Sequence, residues 1–136
     1  MIVTFTPTEG DTRTYEFKPR LLPNKEAELL ERLTGKDYQT FVQDASKGNA
    51  LARRALVFMY EKRTHPTLKW DAFDFPYGAV EVEYDRDEYA AMREAIEADK
   101  SLNDEAKAPI VAQLREFEES APEIPKAPAP SDANDS

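Results

Sequence analysis

Apolar and polar positions alternate at the start of the chain. Val3 and Phe5 fall on one side of an extended segment, with Ile2, Thr4 and Thr6 on the other. Tyr15 and Phe17 share one side of a second such segment. Between them stands Pro7-Thr8-Glu9-Gly10-Asp11, in which Pro fixes φ and Gly10 admits a positive one. The pattern predicts a β-hairpin of strands 2–6 and 12–18. A lone hairpin is marginal in water, so its apolar face must rest on the helices that follow.

From residue 24 the period changes. Leu29, Leu30 and Leu33 predict a helix over 25–34, opened by Asn24 and closed at Gly35. Asp37 opens a second helix reaching residue 45, with Tyr38, Phe41 and Val42 on one side. Asn49 and Pro66 bound a third, over 49–63. It is apolar around nearly its whole circumference from Leu51 to Met59, which predicts a central, buried helix. The residues after it, from His65 to Gly78, read as a loop with one helical turn at 68–72. Residues 80–84 alternate as a short strand would, and Asp85 with Glu88 forms a capping-box pattern ahead of a helix at 86–99 carrying Tyr89, Met92 and Ile96. A helix running on from Asn103 would carry Pro109 in its interior at a cost of ~3 kcal/mol. The last helix is therefore expected to start near Ala108 and end near Ser120, with Ile110, Val111, Leu114 and Phe117 as its apolar face.

These elements define an α+β fold, mainly α, in which an N-terminal β-hairpin packs on a bundle of four to five helices. The expectation is a single globular domain over 1–121, with the hairpin at 2–18 and the helical part at 24–120. A Pro/Ala/Asp/Ser-rich tail at 122–136, with Ile124 as its one large apolar residue, is expected to be disordered.

Composition narrows the chemistry. A chain of 136 residues without Cys and with the single His65 excludes disulfides, thiolate sites and multi-His zinc sites. His65 beside Pro66 reads as a helix-end residue near the last carbonyls, not a base. The glycines at 10, 35, 48 and 78 form no phosphate loop. Asp85-Arg86-Asp87-Glu88 lacks the regular oxygen ligands and Gly turn of a calcium loop. No catalytic constellation, metal or cofactor is expected. No apolar run approaches the ~20 residues of a membrane helix, and no secretory signal is expected from Met1-Ile2-Val3-Thr4. The net charge is -9, concentrated late: residues 81–136 hold 16 acidic and 6 basic side chains, whereas 1–80 are near neutral. Binding to nucleic acid through a basic surface is thereby disfavoured, and a partner held in solution is favoured.

Six residues stand out as candidates for partner binding. Trp70, Phe73, Phe75 and Tyr77 lie within eight positions, the first three between Pro66 and Pro76 and Tyr77 just after, a composition typical of interface hot spots. They serve equally well as a satellite core over the central helix. Arg53 and Arg54 interrupt that helix; one can snorkel outward, and the other can pair with an acidic side chain of 81–119 or with a partner.

The stretch from Ala50 to Phe73 resembles the tail assembly chaperones of long-tailed (siphovirus) phages, especially those of actinobacterial hosts. The shared features are an Ala-rich apolar helix with a large aromatic, here Phe58, at its centre; the basic pair Lys62-Arg63; Pro66; and the acidic-aromatic Trp70-Asp71-Ala72-Phe73. An acidic helical C-terminal half and a Pro/Ala-rich end are similar too. The resemblance covers about residues 37–80 in detail. It implies a non-catalytic protein of the host cytoplasm, absent from the mature virion, that coats and solubilises the tape measure protein during tail assembly. It also implies contacts with other tail proteins, self-association, and a longer frameshifted form, with no nucleic-acid or membrane partner. Two other readings stay open: a structural head–tail or tail-terminator component of the particle, and an acidic DNA-mimic inhibitor.

Overall fold

The computed structural model describes residues 1–123, so most of the expected tail lies outside the described residues. Among the described residues the fold is α+β and mainly α, with a small antiparallel sheet and five α-helices. The chain divides into two compact units, one spanning Met1–Tyr84 and the other beginning at Asp85.

In the first unit, β1 (Ile2–Phe5) pairs with β2 (Arg13–Glu16) as the predicted hairpin, Val3 opposite Tyr15. Gly10 takes the positive φ of 104° in the turn. A third strand, β3 (Val80–Glu83), pairs with the other side of β1, so the order is β2-β1-β3 and the hairpin is part of a three-stranded sheet. Three helices accompany the sheet: α1 (Asn24–Thr34), α2 (Tyr38–Lys47) and α3 (Ala50–Thr64). Asp37 and Asn49 cap α2 and α3 by accepting from Thr40 N and Ala52 N. Gly35 and Gly48 close α1 and α2 in the left-handed region, where a Cβ would be strained. Asn24 is the first residue of α1, and Pro23 precedes it without a side-chain cap.

The core joins Val3, Phe5, Phe17 and Val80 of the sheet region to Leu30 of α1, Phe41 of α2, and Ala55, Leu56, Val57 and Met59 of α3. The central position of α3 follows from its composition: every residue from Ala55 to Glu61 is buried. One end departs from the expected all-round burial. Leu51 is 43% exposed, because in the first turn of α3 only Ala52 turns toward the core.

Side chains of α3 reach both outer strands. Arg53 Nη1 donates to Val80 O at 3.2 Å, and Tyr60 Oη donates to Glu16 O at 3.2 Å. Thr6 N bonds Ala79 O, and Met1 and Phe17 exchange both of their backbone bonds. By the alternation of an antiparallel ladder, Val80 O and Glu16 O therefore point away from β1, along the two free margins of the sheet.

The second unit is an antiparallel pair of helices, α4 (Arg86–Ala98) and α5 (Asp104–Ser120). Asp85 and Glu88 form the predicted capping box. Arg93 bridges the two helices, donating to Glu118 at 2.8 Å and to Glu97 at 2.6 Å. Arg86 Nε donates to Glu118 O, and the rings of Tyr89 and Phe117 meet at 5.5 Å. The start of α5 corrects the expectation of a helix beginning near Ala108: it begins at Asp104, and Pro109 lies inside it. Asn103 accepts from Ala106 N at 2.8 Å, and Asp104 and Glu105 complement the helix dipole, so the first turn forms ahead of the proline. Pro109 then removes one backbone bond, the one that Glu105 O would accept.

Candidate functional site

The six candidate residues all belong to the first unit. Arg54 leaves α3 toward the segment that follows it. Its guanidinium lies over the Trp70 ring at 3.7 Å, while Nε donates to Phe73 O at 2.6 Å and Nη2 to Trp70 O at 2.5 Å. One side chain thus fixes the 3-10 turn Trp70–Ala72 by its backbone and by its ring. Lys62 does similar work upstream, donating from Nζ to Pro66 O and Leu68 O.

The rings continue the clamp. Phe58 of α3 meets Trp70 edge-on at 5.2 Å and Phe73 at 5.6 Å. Phe73 and Phe75 both reach Phe5 of β1, at 6.4 and 5.1 Å. Trp70, Phe73 and Phe75 are half-buried against the core, so one side of this cluster packs inward while part of it meets solvent. The satellite packing of these rings over α3 is therefore present, with part of their surface left to solvent.

Tyr77 and Arg53 meet elsewhere, at Gly48. Tyr77 is 60% exposed and donates to Gly48 O at 2.6 Å. A Cβ placed on Gly48 would lie 3.0 Å from Tyr77 Oη and 3.8 Å from Arg53 Cζ, a crowding that adds to the demand of φ 95° for glycine. Arg53 also donates from Nε to Ala45 O at 3.3 Å. Among the described residues, the hydrogen bonds of Arg53 and Arg54 go to main-chain carbonyls. A carbonyl at a helix end or loop offers a fixed acceptor within reach of a snorkelling guanidinium.

Beside the aromatic cluster opens a groove of about 380 Å³, with Phe5, Phe73 and Phe75 in its wall. Pro7, Thr8 and Glu9 of the hairpin turn line another side, and Arg13, Glu61 and Asp74 supply charge. Glu61 is buried on α3 and receives Arg13 through both Nε, at 2.9 Å, and Nη2, at 2.5 Å. The Tyr15 hydroxyl donates to the same carboxylate. Burial pushes the Glu61 carboxyl up, but the hydrogen bonds from Arg13 and Tyr15 together bring it below its ordinary value. Burial, with the Glu61 carboxylate second, pushes the Tyr15 hydroxyl up to about 12. Glu61 is thus an ionised structural acceptor at neutral pH, unsuited to deliver a proton.

Glu61, Arg13 and Phe5 were not among the residues that the sequence singles out. A signal was available: Glu61 lies four residues after Val57 and so continues the buried stripe of α3, and Arg13 and Tyr15 share one face of β2. His65 sits where the sequence places it, at the end of α3, with Nδ1 3.3 Å from Glu61 O and 3.0 Å from Thr64 Oγ1. Among the described residues, no group of three or more His, Asp or Glu is arranged to hold a metal ion, and no helix is long and apolar enough to cross a membrane. The chain matches no protein-family model, no curated protein and no solved structure.

Proposed function

We propose that this chain is a non-catalytic tail assembly chaperone of a long-tailed phage, which binds the tape measure protein in the host cytoplasm and keeps it dispersed until the tail polymerises. The observation that carries the reading is the segment from Trp70 to Phe75, whose half-buried rings are held by Arg54 beside an aromatic groove. Rings fixed before binding lose little conformational freedom on meeting a partner, which is the condition for a compact hot spot. The likeness of residues 50–73 to the chaperone family supplies the partner. The acidic late half supports it further, since like charges on a coated complex keep it from clumping.

Co-expression with the tape measure protein of the same phage tests the reading. The partner should move from the pellet to the soluble fraction. Phe75→Ser with Tyr77→Ala should reduce that transfer while the circular dichroism stays helical, since Tyr77 is exposed and Phe75 only half-buried. A partner that stays in the pellet refutes the proposal. Stoichiometric amounts of this chain in purified particles, measured by mass spectrometry, refute it in favour of a structural tail component.

A further inference from the structure

The pair α4–α5 is an incomplete helical layer. Among the described residues of both helices, none is buried. A helix pair of this size has too little interior to make a core by itself, and helices in bundles gain stability from a third or fourth neighbour. The shortfall is concentrated on one flank. Lys107 and Glu118 of α5 turn toward α4, where Lys107 Nζ donates to Glu97 O at 2.9 Å and Glu118 accepts from Arg93. Ile110 and Phe117 lie beside that contact line, seven residues apart on one helical face, and are 38% and 42% exposed. Ala106 and Gln113 lie on the same face, small or uncharged.

The surroundings say what kind of element would cover this flank. Residues 85–120 carry 11 acidic and five basic side chains. Of the five, Arg86 and Arg93 are engaged within the unit by Glu118, Glu119 and Glu97, and Lys107 by Glu97 O. Glu105 and Glu116 lie about one-third of a turn round α5 from Ile110 and Phe117, on the side away from α4, and make no ion pair among the described residues. An apolar strip bordered by unpaired carboxylates complements a helix with a leucine-type stripe bordered by Lys or Arg. A second copy of this unit would bring its own acidic border against the first, which like-charge repulsion opposes.

We propose that the Ile110–Phe117 flank of α5 is a docking surface for a basic amphipathic helix of a partner protein. This goes beyond the chaperone reading and does not rest on it. A tape measure protein that fails to bind would leave it standing.

The test uses the full chain and a fluorescein-labelled synthetic amphipathic helix of leucine and lysine, read by fluorescence anisotropy. Saturable binding is expected, weakening as salt rises, and the same pattern made with leucine and glutamate should not bind. Ile110→Asp should weaken binding roughly tenfold. Hydrogen exchange on the unaltered chain provides a check that needs no variant: bound peptide should slow exchange across residues 105–117. Protection at residues 70–77 instead, or binding indifferent to Ile110→Asp, overturns the proposal. So does a free chain that sediments as a dimer and is dissociated by Ile110→Asp, which assigns the flank to a second copy. Binding by a chain ending at Glu123 but not by the full chain also overturns it, assigning the flank to residues 124–136.

Discussion

Glu61 and Arg13 form one ion pair, yet its two halves should be unequally costly to remove. The carboxylate side chain is 6% exposed and the guanidinium 40%. Arg13→Met leaves a buried carboxylate with the Tyr15 hydroxyl as its remaining side-chain donor. Stranding a buried charge costs about 3–5 kcal/mol in other proteins, and the surviving hydroxyl bond places this case near ~3 kcal/mol. Glu61→Gln keeps the volume and an acceptor for Tyr15, and leaves a guanidinium that water already reaches. Screening and rehydration reduce the loss to about 1–2 kcal/mol. Urea denaturation at pH 7, with both variants measured against the unaltered chain, gives the two numbers.

The pair also sets a pH dependence. A carboxyl held below its ordinary value of 4.5 contributes stability that is present above that value and lost as pH falls through the folded one. The deficit of Glu61→Gln should therefore shrink only below about pH 4.5. In Arg13→Met the carboxyl loses its cation and rises, so the deficit should begin to shrink at higher pH. Equal costs at pH 7, or a larger cost for Glu61→Gln, would show that the pair is not divided between interior and solvent as the geometry has it.

Three further outcomes are expected. Leu56→Ala, at a fully buried position of α3, should cost ~2–5 kcal/mol in the same denaturation assay, and a loss under about 1 kcal/mol would remove α3 from the centre of the fold. Burial holds Tyr15, Tyr38 and Tyr60 protonated up to about 12, against an ordinary 10.0, so their contribution is intact below pH 10.0 and lost as pH climbs toward 12; tyrosinate absorbance and loss of helical dichroism should coincide in that window. Pro109→Ala restores a backbone bond to Glu105 O and should raise helicity and thermal stability by about 1–3 kcal/mol, read by circular dichroism.

Local signals carried most of the helical architecture. Asp37, Asn49 and Asp85 cap what they precede, and Gly35 and Gly48 close what they follow, because each acts on backbone within four residues of itself. Pro109 misled because its fixed local cost is visible in sequence, whereas the capped turn before it compensates through several small terms. The placement of β3 beside β1 was not legible, since alternation at 80–84 identifies a strand but not its neighbour. At the candidate site, the aromatics announced themselves by density. Their anchoring by Arg54, through carbonyls of Trp70 and Phe73, depends on where a loop returns in space, and main-chain acceptors carry no residue signature.

The two bonds from α3 to Val80 O and Glu16 O have a consequence for crowding. A three-stranded sheet offers two open ladders, and each is an invitation for another chain to add a strand. Here one helix stoppers both: Arg53 occupies an acceptor on β3 and Tyr60 an acceptor on β2. An incoming strand that paired at Val80 or at Glu16 would have to displace a guanidinium on one side or a buried phenol on the other. Each such bond raises the cost of edge-to-edge pairing at its own position, which biases associations of the chain toward side chains.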